Sequence, residues 1–591
     1  MPKMGLRNIF FSKTTPLPPP SRTFSDSLMD ENIETARSLI SKWDPNNSAS
    51  APLFRNTRQE AKQYLDAVVS LQTTMQYLVA RDSSSLSLIQ AQSLMQLAMN
   101  RLQMEFYRIL TQNRDNLDPE SVASTDRRSS SVSDDDDDFS EDDFRFAGDS
   151  VSTVAMADLK AIAECMVSAG YRKECVKVYI LMRKSVVDEA LYHLGVERLS
   201  FSQVQKMDWE TLHSKIKCWL NAVKIAVRTL FHAEKTLCDY VFGSPERMIA
   251  ESCFAAVCRE GAASLFGFPE NVARCKKTPE KMFRTLDMYE AMSENWNQIA
   301  SIFSSEPTSS VRSQATASLV KLGEAVRTML TDFESAIQKE SSRIPVPGGG
   351  IHPLTRYVMN YIAFLADYRD ALADIVAGWP QNPLPESYYR SPDREEKNRS
   401  SEIAERIAWL ILVVLCKLDG KAELYKDVAL SYLFLANNMQ YVVVKVRKSN
   451  LGFILGEEWL TKHEAKVKEY VSKYERVGWS KAFPLLPENP TPEEARGIFE
   501  SFNAAFHEAC RVQSTWVVPD PNLREEIKAS IGLKLVARYK EMCGKYRVGS
   551  ETVSGFWSED MEHYLGEILC GSGESRSVSW RGPSPPPIVA K

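Results

Sequence analysis

At 591 residues the chain is far longer than one hydrophobic core supports, and a prior of about 150 residues per domain predicts several packed units. Its hydrophobic share of 44% and charged share of 25% are those of a soluble globular protein, and a formal net charge of -5 gives no global drive toward nucleic acid or an acidic membrane. The eleven cysteines never form a C-x-x-C pair, which argues against zinc-ribbon and thioredoxin-like sites and for free thiols in a reducing cytosol.

The amino terminus, Met1-Pro2-Lys3-Met4-Gly5, has no glycine at the second position and no secretory core, so neither myristoylation nor a signal peptide is expected. Residues 1–26 are basic and proline-rich and read as a disordered arm. Over 27–112 the apolar residues step by threes and fours. They run Met29, Ile33, Ala36, Ile40 and Trp43, then Tyr64, Val68, Leu71, Met75 and Leu78, then Met95, Met99, Leu102, Phe106 and Ile109. Three heptad-like helices are predicted. They are either a short bundle closed on itself or a seam offered to another helical protein, and spacing alone leaves both open.

Residues 113–152 carry Arg127-Arg128, the serines Ser129–Ser131 and the acidic run Asp134–Asp138 with Glu141, Asp142 and Asp143. So little apolar surface cannot offset the entropy of ordering, so a disordered linker is predicted. Ser131, Ser133 and Ser140 each have an acidic residue three positions on and are candidate phosphorylation sites.

From 153 to 570 the periodicity is helical throughout and no series of alternating strands is found. Ile216, Leu220, Val223, Val227, Leu230, Leu237 and Val241 mark one helix, and Ile403, Ile407, Leu410, Val414 and Leu418 another. Gly170, Gly195, Gly243, Gly420 and Gly456 fall near helix ends, with longer breaks at Ser304–Ser310, Ser341–Gly350 and Trp379–Ser400. The longest apolar run, Ala408–Cys416, is too short to span a bilayer and reads as a buried core helix. Gly348–Gly350 is a hinge into a helix whose first turn holds Pro353 and whose apolar positions are Leu354, Val358, Tyr361 and Leu365. The triple glycine lies in neither a P-loop nor a dinucleotide-binding pattern. In Tyr432–Val446 the residues Asn437, Asn438 and Gln440 are expected at a packed interface, hydrogen-bonding a neighbouring loop. Residues 571–591 form a proline-rich tail.

No motif carries recognisable chemistry. The seven histidines sit in separate segments and read as surface or capping residues; none stands in H-E-x-x-H, and neither a nucleophile elbow nor a kinase glycine loop occurs. No enzyme activity, metal or cofactor is expected. The one electrostatic feature is the helix Leu533–Arg547. At about 100° per residue it gathers Leu535, Tyr539, Met542 and Tyr546 on one face and Lys534, Arg538 and Lys545 on a strip beside it, with Lys528 and Arg524 extending the ridge. Such a ridge is either a solubilising face or a contact for an anionic leaflet, where each cation contributes about 1 kcal/mol.

The segment His352–Ile362 closely resembles the corresponding stretch of the exocyst seventy-kilodalton subunit (Exo-seventy) family, particularly its plant branch. Three further passages agree: Gly170–Tyr179 with Leu194–Ser200, Tyr432–Arg447, and Trp516–Asp520 with Leu523-Arg524. The similarity covers about residues 155–570. It implies an all-α fold, an elongated rod of stacked helical bundles with an N-terminal coiled-coil region. It further implies a cytoplasmic protein, peripherally recruited to the plasma membrane, that assembles with other exocyst subunits and tethers secretory vesicles during exocytosis. By the same resemblance an anionic phosphoinositide membrane is contacted through Lys528, Lys534, Arg538, Lys540, Lys545 and Arg547, and a small GTPase of the Rho or Rab class is a partner by analogy. The chain departs from the family's lipid-binding members where Ser558–His563 is acidic instead of basic, which lowers the potential of the ridge. The competing expectation is a diverged plant paralogue that acts as a non-tethering adaptor in immunity or autophagy.

Overall fold

The computed structural model describes residues 24–44, 52–56, 58–82, 85–114, 142–243, 247–380, 384–385, 388, 399–486, 492–545 and 558–571. The expected basic arm, the acidic run with Ser131, Ser133 and Ser140, and the proline-rich tail lie outside them. The fold is all-α, built of stacked helical bundles; among the described residues the one β pairing is an isolated antiparallel bridge between Val517 and Cys570. Two compact units are formed, one from Met1–Phe268 with Glu294–Ala317 and one from Pro269–Ser293 with Ser318–Lys591.

In the first unit the helices Phe24–Lys42, Arg58–Arg81 and Leu86–Gln112 pack together, and Leu86–Gln112 also packs on Asp142–Ser168 and Arg172–His193. The heptad residues are spent inside this assembly: Ile33, Ala36, Ile40, Tyr64, Val68, Leu71, Met95, Met99, Leu102 and Phe106 are all buried. Helix Asp142–Ser168 starts ten residues before the linker boundary expected at 152, as a helix once nucleated by packing extends at little cost. Gly170, at φ +90°, then turns the chain into Arg172–His193, with the Tyr171 N–H donating to the Met166 carbonyl at 2.8 Å. That helix buries Arg183 against Glu234, Nη2 to Oε2 at 2.7 Å, while the Tyr179 hydroxyl donates to the same carboxylate at 3.0 Å.

The long helix expected over 216–241 contains a π-helical turn at Ala226–Phe231, between Trp209–Ile225 and His232–Phe242. The full-heptad step from Leu230 to Leu237 is regular helical spacing, and the core position between them is filled by the buried Glu234. Both leucines are buried.

The second unit is organised by the helix Val428–Arg447. Asn437 Nδ2 donates to the carbonyls of Gly349 at 2.8 Å and Val517 at 2.7 Å. Asn438 Oδ1 accepts from the His352 N–H at 2.9 Å and the Thr355 hydroxyl at 2.7 Å, and its Nδ2 donates to the Phe434 carbonyl at 2.8 Å. The glycines are required where they stand: Gly348 and Gly349 have φ +66° and +70°, and a Cβ there would lie 2.7 Å from the Thr515 carbonyl oxygen and from Leu430 Cδ1. The helix Pro353–Leu365 follows, with Pro353 in its first turn and Val358, Tyr361 and Leu365 buried.

His352 is its N-cap, and Nδ1 accepts from the Leu354 N–H at 3.1 Å, which requires a neutral ring. Burial, and then the charge of Lys421, push the His352 pKa down to about 4. His463, expected at the surface or at a cap, is instead buried at 4% exposure, with Nδ1–H donating to the Trp459 carbonyl at 2.7 Å. Burial pushes it down to about 4 as well.

Two outcomes are expected. Asn438→Leu strands the buried His352 N–H and Thr355 hydroxyl, and costs about 3 kcal/mol in denaturant titration of the full chain. Because both histidines are held neutral in the fold, the unfolded chain binds more protons between the ordinary histidine value of 6.5 and about 4. Stability is therefore complete above pH 6.5 and falls as pH drops toward 4, and His352→Asn, which keeps a capping oxygen, shallows that slope in melting curves taken across the window.

Candidate functional site

Helix Pro521–Lys545 starts at Asp520, whose Oδ1 accepts the Leu523 N–H at 2.8 Å. Leu523, Ile527, Ile531, Leu535, Tyr539 and Met542 are all at or below 5% exposure, so the predicted apolar face is the inward one. The Tyr539 ring lies 5.3 Å from both Phe499 and Phe502 of the helix Pro492–Gln513. Tyr546 lies outside the described residues.

The cations do not form a single ridge. At about 100° per residue, Arg538 lies about 40° from Lys534, whereas Lys528 and Lys540 lie about 120° away on opposite flanks. Both of those reach the helix Ser558–Glu567: Lys528 Nζ donates to the Gly566 carbonyl at 2.6 Å, and Lys540 pairs with Glu562 at 2.8 Å. The side chain of Lys528 is only 11% exposed, which fits a capping cation at the end of that helix better than an open one. Lys534 is half-exposed and pairs with Glu475 of the helix Leu451–Gly478, a carboxylate that is 5% exposed. Arg538 is exposed and makes no ion pair among the described residues. The side chain of Lys545 and all of Arg547 lie outside them. Glu562, in the acidic passage flagged from sequence, thus neutralises one of the six candidate cations directly. Glu475 neutralises another from a distant segment, and nothing in its local sequence signals that role.

The first unit offers a different surface. Leu28 is 43% exposed, Val79 55%, Leu86 77% and Ile89 57%, and the Ser87 hydroxyl donates to Asp30 Oδ1 at 3.1 Å, bringing the first and third helices together beside Leu86 and Ile89. These residues stand outside the predicted heptads. Periodicity identifies a stripe but not whether water or another helix covers it.

Two family models match the chain in order. The model for the N-terminal part of exocyst complex component Exo70 matches residues 32–112, and the model for the C-terminal part of the same Exo70 exocyst protein matches residues 217–567. The chain belongs to the Exo70 family of exocyst subunits.

Exocyst complex component EXO70B1 of Arabidopsis thaliana is 31% identical to this Exo70-family chain over 90% of it and 88% of the relative. EXO70A1 of the same organism is 30% identical over 92% and 89%. The solved structure of S. cerevisiae Exo70 shares the fold at a TM-score of 0.57 and 14% identity, covering 92% of this chain and 98% of the yeast chain. The N-terminal match falls on the heptad helices, and the C-terminal match contains the segments around His352, Tyr432 and Trp516 that carry the resemblance in sequence. No described helix of this Exo70-family chain is long and apolar enough to cross a membrane.

Glu475 makes the two strip cations unequal in energy. Lys534→Glu sets a second carboxylate against a buried one and lowers the melting temperature measurably, by the equivalent of about 2 kcal/mol. Arg538→Glu, on an open surface, leaves melting within about 0.5 kcal/mol of wild type.

Proposed function

We propose that this chain is a nonenzymatic exocyst subunit that tethers secretory vesicles to the plasma membrane, working from the cytoplasm and recruited peripherally. The observation that carries the reading is the ordered pair of N- and C-terminal Exo70 matches, supported by relatives of about 30% identity over nearly their full length. The N-terminal helices join other exocyst subunits through the exposed apolar surface at Leu28, Val79, Leu86 and Ile89. Helix Pro521–Lys545 meets an anionic phosphoinositide leaflet with Arg538 foremost, Lys534 beside it, and Lys545 and Arg547 beyond. Lys528 and Lys540 contribute less, because the helix Ser558–Glu567 already engages them. Two weak attachments on one molecule act together by raising each other's effective concentration. A small GTPase remains part of the proposal by family analogy.

The engagement of Lys528, Lys534 and Lys540 favours one second reading, an adaptor outside the tethering complex that has reduced lipid contact. Cosedimentation with vesicles containing phosphatidylinositol bisphosphate separates the contributions. Arg538→Glu weakens binding about tenfold, while Lys540→Glu changes it little. Equal sedimentation of wild type and Arg538→Glu sinks the lipid face. Copurification with other exocyst subunits that is lost on Leu86→Asp with Ile89→Asp supports the tethering reading, and its absence from wild type favours the adaptor.

A further inference from the structure

A cleft of about 340 Å³ opens among the helices Arg399–Ala422, Val428–Arg447 and Leu451–Gly478 of the second unit, lined by none of the six candidate cations. That volume is at the low end for a small-molecule site, room for part of one chain and not two. Its floor is aliphatic, made by Leu412, Leu415, Leu418, Leu435 and Met439, and three of these leucines, Leu412, Leu415 and Leu435, are only half-buried.

The polar lining is organised. His463 donates Nδ1–H to the Trp459 carbonyl, which fixes the tautomer and leaves Nε2 as an acceptor without a hydrogen-bond donor among the described residues, on a residue that is only 4% exposed. The ring is held from both sides, stacked on Trp459 at 3.6 Å and edge-on to Tyr388 at 5.2 Å. Asp419 stands on the exposed rim and makes no ion pair among the described residues; partial burial of its carboxyl raises it above the ordinary value although Lys466 opposes the shift. Lys462 is exposed and likewise has no ion pair among the described residues, one turn from Lys466, which lies 2.8 Å from Glu469 and 5.2 Å from the Tyr470 ring centroid.

The wall thus presents a carboxylate and a bare imidazole acceptor together with two ammonium groups, beside an apolar floor. A simple anion on an acyl chain meets Asp419, and a simple cation meets Lys462 and Lys466. A ligand carrying both signs satisfies each. We propose that the cleft binds a single-chain lipid with a zwitterionic amine–phosphate head. Its chain lies on the leucine floor, its ammonium is held by Asp419 and His463 Nε2, and its phosphate is held by Lys462 and Lys466.

The test is equilibrium dialysis of the full chain, below micelle-forming concentrations, against three probes of equal chain length: lauroyl-lysophosphatidylethanolamine, lauroyl-lysophosphatidic acid and dodecylamine. The zwitterion is expected to bind at least tenfold tighter than either probe that carries charge of one sign only. Asp419→Asn is expected to remove its advantage over the lysophosphatidic acid, and Lys462→Glu its advantage over the amine. Leu415→Trp, which fills the floor, abolishes uptake of all three, with helical content and melting compared to confirm folding. Lys462→Glu lies on the exposed rim and keeps the test decisive should the tryptophan variant not fold. No uptake of the zwitterion, equal uptake of all three probes, or uptake indifferent to Asp419→Asn and Lys462→Glu overturns the proposal.

Discussion

The second unit depends on two adjacent amides. Asn437 and Asn438 lie on one helix, yet between them they bond the glycine turn at 349, the start of the following helix at 352 and 355, and the loop at 517. The Gly349 carbonyl, the His352 N–H and the Thr355 hydroxyl are bonded in buried surroundings, where each must find a partner inside the protein, and the Val517 carbonyl is part-buried. The same loop is held on its other side by the Val517 N–H donating to Gly348 at 2.8 Å and the Val518 N–H donating to Leu569 at 2.9 Å. Leu569 accepts this role at φ +64°, a conformation that costs a branched residue energy and persists only because its surroundings determine it. Segments about 50 to 170 residues apart in sequence are thereby bonded directly to one another, and the helices Pro521–Lys545 and Ser558–Glu567 adjoin that pin.

This arrangement bears on charge as much as on shape. By setting the last helix beside Pro521–Lys545, it places the Gly566 carbonyl over Lys528 and Glu562 beside Lys540. The electrostatics of the helix surface are therefore a property of its neighbours more than of its own lysines. Buried pairs elsewhere, such as Arg183 with Glu234, act in the same spirit. Their desolvation cost nearly cancels their attraction, so their main effect is to penalise any register in which one partner is left alone.

The helical class, the glycine hinge before Pro353, the amide cluster and the inward face of residues 535–542 were all legible from local pattern, because each depends on spacing within one or two turns. The kinship was legible for a related reason: the His352–Ile362 passage combines an N-cap, a first-turn proline and a buried stripe that few sequences share. The π turn at Ala226–Phe231 left no trace in the spacing of the apolar residues. His463 was misplaced because, although Trp459 lies one turn before it, nothing local reveals the distant Tyr388 ring that closes over its other side.

By itself, then, the sequence determined helix, turn and family, since all of these are written in backbone propensity and in the period of apolar residues. Tertiary structure alone decided which stripes are covered and which charges are free. That the face of Leu86 and Ile89 stays open while the face of Met95 and Met99 is covered depends on which helices pack there, and Arg538 differs from Lys534 through a carboxylate about sixty positions away. Burial and charge pairing are sums over every neighbour in space, and a linear pattern records only the neighbours along the chain.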